Sequence, residues 1–151
     1  ENQKAYKIAE NIRNHAFYNI FDWITVTVKD STAILRGWVN DPWYKDQFKS
    51  EAMKVPGITT VVDSVKELPL STRDDQIRRQ AARLIYNDPR LEGFAYRADP
   101  PIHIIVKNGV VTLMGYVENL DDRSWITNQV LVRTDALDVK NNLKVTAEEG
   151  S

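Results

Sequence analysis

The stretch Ile24-Thr-Val-Thr-Val-Lys-Asp-Ser-Thr-Ala-Ile-Leu-Arg-Gly-Trp-Val39 falls on Ile102-His-Ile-Ile-Val-Lys-Asn-Gly-Val-Val-Thr-Leu-Met-Gly-Tyr-Val117 at a constant offset of 115 − 37 = 78 residues. The chain therefore reads as a tandem duplication. The same offset brings Lys45 onto Arg123, Phe48 onto Ile126, Ala52 onto Val130, Val61 onto Val139 and Val65 onto Leu143. Upstream it falls to 72, pairing Ala5 with Ile77, Ala9 with Ala81 and Ile12 with Leu84, which predicts a six-residue insertion in the second copy between Asp88 and Pro101. Pro89, Gly93, Pro100 and Pro101 mark that segment as a loop.

Within each copy the hydrophobic period alternates between helix and strand. Ile77, Ala81, Leu84 and Ile85 recur at helical spacing, and Thr72 with Asp75 resembles a capping box, so a helix is predicted from about Arg73 to Asn87. Its counterpart is Lys4 to Phe17. Ile102, Ile104 and Val106 then alternate up to Asn108-Gly109, a pair that supplies the positive backbone angles of a tight hairpin, and Val111, Leu113 and Gly115 continue beyond it. Asn119 with Asp121-Asp122, and Asp41 with Pro42 in the first copy, open a second helix carrying Ile126, Val130 and Leu131 or Phe48, Ala52 and Met53. Leu137 to Val145 and Ile58 to Leu68 close each copy as a third strand.

The predicted fold is α+β: two tandem α-β-β-α-β modules, each a small three-stranded mixed sheet with two helices on one face. The expected domains are 1–69 and 70–147, with 148–151 a disordered tail. Modules of about 70 residues lie near the lower limit for a self-sufficient core, and the junction Leu68-Pro69-Leu70-Ser71 is short for independent tumbling.

Composition narrows the function. The 151 residues are 42% hydrophobic and 27% charged, with mean hydropathy −0.43, values of an ordinary globular chain. The longest apolar runs fall far short of the ~20 residues that cross a bilayer. No cysteine is present, which removes disulfides, thiolate metal sites and cysteine nucleophiles and leaves the redox compartment open. A net charge of −1 argues against a nucleic-acid binder relying on a broad basic field. The chain opens on Glu1-Asn2-Gln3-Lys4 without Met or an apolar signal segment, so the expectation is a processed or trimmed chain whose targeting sequence is out of view.

The double pattern, with its Lys107-Asn-Gly-Val-Val-Thr-Leu-Met-Gly-Tyr-Val117 hairpin and the Val55-Pro56-Gly57-Ile58 helix-to-strand turn, resembles the BON domain family of bacterial envelope proteins over nearly the whole chain. Each copy departs from the pattern once: Asp30-Ser31 replaces Asn-Gly in the first hairpin, and Thr134-Asp135-Ala136 replaces the glycine-bearing turn in the second. The resemblance implies a non-enzymatic periplasmic or outer-envelope protein that binds phospholipid surfaces and supports envelope integrity, often under osmotic stress. It also implies a rival role, since the family supplies attachment modules to secretins and channels.

The residues themselves hold little catalytic chemistry. His15 and His103 are the only histidines, neither stands at ligand spacing with a partner, and His103, out of phase with Ile102 and Ile104, is expected to face solvent. No nucleophile-elbow pattern accompanies the serines. The acidic pairs Asp74-Asp75 and Asp121-Asp122 sit in first helical turns, where carboxylates satisfy free amides and complement the dipole. Gly37 and Gly115 lack phosphate-loop spacing and read as a bulge or a close packing point. No metal and no cofactor is expected.

Two surfaces remain as binding candidates. On the helix beginning near Arg73, Arg78, Arg79, Arg83 and Tyr86, continued by Arg90, form a cationic stripe with an aromatic end that suits anionic phospholipid headgroups. Trp43, Tyr44 and Lys45 start the second helix of the first copy, where amphipathic rings beside a cation suit a bilayer interface or a protein partner of the envelope. Trp23 and Trp38 are expected to pack against the sheet.

Overall fold

The structure, a computed structural model, describes residues 2–89 and 100–146. The chain divides into two compact units, Glu1–Leu68 and Pro69–Ser151. The first runs α1 (Asn2–Arg13), β1 (Trp23–Lys29), β2 (Thr32–Val39), a short 3-10 turn (Pro42–Tyr44), α2 (Lys45–Met53) and β3 (Thr60–Glu67). The second repeats the order as α3 (Thr72–Tyr86), β4 (Ile102–Lys107), β5 (Val110–Val117), α4 (Leu120–Arg133) and β6 (Asp138–Val145). In each sheet the second strand is central, antiparallel to the first and parallel to the third, which makes the sheets mixed. The α-β-β-α-β order and the α+β class are as the sequence predicts.

Strand alternation assigns the faces. Ile24, Ala33, Leu35, Val39 and Val65 meet Ile8 and Ile12 of α1 and Phe48 and Ala52 of α2 in one core, so both helices cover the same side of the first sheet. In the second unit Ile77, Ala81 and Ile85 of α3, Ile126 and Val130 of α4, and Ile102, Ile104, Val106, Val111, Leu113 and Leu143 of the sheet are buried. Burying each such aliphatic side chain stabilises the fold by about 1.5–3 kcal/mol, less the entropy of ordering it. Leu131 and Met53, placed on the inward helix faces by spacing, are instead exposed, because one residue beyond Val130 or Ala52 turns about 100° away from the sheet.

Helix ends differ from the sequence expectation in ways that local bonding explains. α1 stops at Arg13 rather than Phe17, since Tyr18 turns back to bury its ring in the core, where its hydroxyl accepts the Ile24 N–H at 3.3 Å. Ser71 caps α3, accepting the Asp74 N–H at 3.1 Å, and Asp75 binds Arg78 instead of closing a box with Thr72. Trp43 and Tyr44 lie in the 3-10 turn, not in α2, with Asp41 accepting the Trp43 N–H at 3.0 Å. The predicted insertion falls between Asp88 and Pro101, and residues 90–99 of that segment lie outside those described.

The repeat also keeps two close backbone approaches. Gly37 and Gly115, 78 residues apart, have φ of +127° and +116°, and a Cβ on either would stand 1.9 Å from the carbonyl oxygen of Trp23 or Pro101 on the neighbouring segment. Both glycines are there because a side chain does not fit. The turns that lack glycine are held in other ways. Asp30 itself takes φ +57°, a conformation Asp tolerates. The Thr134–Ala136 turn is clamped by Gln80, whose amide accepts from the Asp135 N–H at 2.8 Å and donates to the Asp135 carboxylate at 2.9 Å.

Candidate functional site

α3 carries its predicted cationic stripe only in part. Arg79 and Arg83 are exposed, one helical turn apart, and neither is ion-paired among the described residues; Arg73 is exposed as well. Arg78 and Tyr86 do not belong to that surface. Arg78 is 2% exposed, and its guanidinium donates to the Val106 carbonyl at 2.7 Å and to Asp75 Oδ1 at 2.6 Å. Tyr86 is 9% exposed; its hydroxyl accepts the Ile102 N–H at 3.0 Å and donates to the Ile102 carbonyl. Arg78, one residue on from Ile77, borders the apolar stripe, whereas Tyr86, the last residue of α3, is held at the start of β4 by its hydroxyl bonds to Ile102. Arg90 lies outside the described residues.

The same helix anchors the hairpin through Asp74, a residue whose first-turn position by itself predicts only a helix-end role. Asp74, 1% exposed, accepts the Asn108 N–H at 2.9 Å on one carboxylate oxygen and the Gly109 N–H at 2.8 Å on the other. Its first-turn position serves the β4–β5 turn, not only the helix end. Asp22 has a comparable part in the first unit, accepting from Asn19 N at 3.1 Å and Asn40 N at 2.8 Å. His103 is buried at 1% and does not face solvent. Ile105 on the same side of β4 is buried too, so both faces of this strand are covered and alternation does not report exposure there.

In the first unit Trp43 is 85% exposed. Tyr44 is half-buried and stacks on Phe17, ring centroids 4.0 Å apart at 12°, with His15 5.4 Å from Phe17 and edge-on to Phe48. Phe17, itself partly exposed, thus extends the aromatic surface, although no periodicity links it to Tyr44. Lys45 is not a free cation: its ammonium stands 4.0 Å from Asp63, half-buried between α2 and β3. The equivalent pair in the second unit is Arg123 and Asn141, where the asparagine amide reaches the Arg123 carbonyl at 3.4 Å and Thr127 Oγ1 at 2.5 Å.

Trp23 and Trp38 pack on the first sheet, but on its helix-free face. They are register partners across β1 and β2, and the Lys66 ammonium lies 5.7 Å from the Trp38 ring. The same face carries Thr25, Thr27 and Lys29 of β1, Thr32, Ile34 and Arg36 of β2, and Thr60, Val62 and Ser64 of β3. Lys29, Arg36, Val62 and Lys66 are exposed, and Arg36 donates to Thr27 Oγ1 at 3.3 Å. Among the described residues no group of three or more His, Cys, Asp or Glu could hold a metal ion, and no helix is long and apolar enough to cross a membrane.

The family model of the BON domain matches twice, over residues 7–69 and 73–147, the same two stretches that fold as repeated α-β-β-α-β modules. The chain belongs to the BON domain family. No curated protein matches it. Similar solved structures include the C-terminal domain of CdsD, the structural protein of the type III secretion system of Chlamydia trachomatis. That structure is 12% identical, with 93% of this chain and 96% of that chain covered and a TM-score of 0.32. A second CdsD structure from the same organism is 14% identical, covers 96% and 93%, and also scores 0.32. These values are too low for the CdsD structures to bear on function. What the tandem BON chain presents for binding is therefore read from its own surfaces.

Proposed function

We propose that this dual-BON chain is a non-catalytic protein of the bacterial envelope, periplasmic or outer-envelope associated, that docks reversibly on anionic phospholipid and supports envelope integrity under osmotic stress. The observation that carries the reading is the outer face of α3, where Arg73, Arg79 and Arg83 are exposed and Arg79 and Arg83 have no carboxylate partner among the described residues. Each arginine near an anionic surface contributes about 1 kcal/mol, so the docking is weak, additive and salt-sensitive.

Co-sedimentation with phosphatidylcholine vesicles and with phosphatidylglycerol-containing vesicles, at low and near-physiological salt, tests it. Binding confined to anionic vesicles, weakened by salt and reduced in Arg79→Glu, Arg83→Glu, is the expected outcome. Equal binding by that folded variant would remove α3 as the docking face.

A second reading is favoured by one observation, the 85% exposure of Trp43 next to the Phe17–Tyr44 stack. Exposed aromatics of this kind are anchors for a protein partner in an envelope assembly. Loss of a single, identified partner on Trp43→Ala, with no effect of the α3 reversals, would favour it.

A further inference from the structure

The helix-free face of the first sheet has a charge separation that its module as a whole lacks. Residues 1–68 contain nine Lys and Arg and nine Asp and Glu, a formal charge of 9 − 9 = 0. The strand positions on this face hold Lys29, Arg36 and Lys66 and no carboxylate, so the face carries +3 and the rest of the module −3. Solubility alone is served as well by interspersed signs.

The three cations are spread out. Lys29 pairs with Thr32 at one end of the sheet and Lys66 with Trp38 at the other, six residues along β2 and roughly 20 Å away. Arg36 lies between them, steadied by Thr27. Trp23 and Trp38 stand side by side at the Lys66 end, two amphipathic rings of the kind that settle at a bilayer interface. Charges dispersed this widely match a continuous anionic layer better than a single acidic side chain. Two copies of the face would repel each other, which disfavours self-association through it.

We propose that this face is a second contact with the anionic phospholipid headgroup layer, separate from the outer face of α3. The proposal rests on the phospholipid reading above. It is tested on the whole chain with vesicles of phosphatidylcholine and phosphatidylglycerol at low salt, comparing the wild type with Arg36→Glu, Lys66→Glu. Reversal of two charges changes the interaction with the layer by four unit charges, so partitioning is expected to fall about tenfold or more, and the difference to close at high salt. Arg36→Gln, Lys66→Gln, which adds no new charge at these exposed positions, is expected to lose about half as much on a logarithmic scale. Circular dichroism establishes that each variant is folded.

Wild-type binding with undiminished binding by both variants overturns this face and leaves the α3 reading standing. Absence of wild-type binding to any vesicle overturns both. Binding of a poly-glutamate peptide that the variants lose, while they keep vesicle binding, would assign the face to an acidic protein segment and overturn the proposal.

Discussion

The Arg78 guanidinium, buried in the second module, donates to the Val106 carbonyl at 2.7 Å, tying the middle of α3 to the far end of β4. A charged donor there is worth more than a neutral one, and its loss strands the carbonyl of a buried residue. The Nε atom has no hydrogen-bond partner among the described residues, so within them the guanidinium is incompletely compensated. Arg78→Ala is expected to cost about 2–4 kcal/mol, measured by urea unfolding, because the lost hydrogen bond and the cavity add. Vesicle binding by the folded fraction should be unchanged, in contrast to Arg79→Glu.

Tyr86 holds both backbone groups of Ile102, the first residue of β4. Tyr86→Phe keeps the ring and removes the hydroxyl, leaving a buried N–H and carbonyl to find other partners. A loss of about 1–3 kcal/mol is expected from thermal or chemical denaturation. A change in lipid binding without a change in stability would contradict the inward placement.

Asp74 accepts two backbone N–H groups of the β4–β5 turn, one on each oxygen. Asp74→Asn retains one acceptor and turns a donor toward the other N–H. The expected cost is about 1–3 kcal/mol, with faster amide exchange concentrated at Asn108 and Gly109. Uniform exchange across the module would show that the carboxylate does not organise the turn.

The glycines differ in what a methyl group would meet. At Gly37 and Gly115 it meets a backbone carbonyl oxygen at 1.9 Å, and the strand must move. Gly37→Ala and Gly115→Ala are each expected to cost more than about 3 kcal/mol and to yield little folded protein. At Gly109, φ +82°, the nearest atom is Leu137 Cδ1 at 2.8 Å, the end of an exposed and flexible side chain. Gly109→Ala should cost only about 1–2 kcal/mol, the left-handed backbone penalty. Melting temperatures of the three variants, ranked side by side, check this order.

The repeat, the order of elements and the two cores were legible in the residues, because period 2 and period 3.6 are local properties that survive without knowledge of neighbours. So were the exposed positions Arg79 and Arg83, and the exposure of one of the adjacent rings Trp43 and Tyr44. The depth of Arg78, Tyr86 and His103 was not legible. It depends on whether β4 lies beside the margin of α3 and on how far both faces of that strand are covered, which are contacts between residues up to 28 positions apart. The same holds for Asp74, whose carboxylate looks like a helix-end charge until the hairpin turn is brought against it. It holds as well for the cationic face of the first sheet, where Lys29, Arg36 and Lys66 come from three strands. Periodicity assigns each of these residues to a side of its own strand. Only the pairing of the strands puts the three charges on one surface and leaves every carboxylate of the module elsewhere.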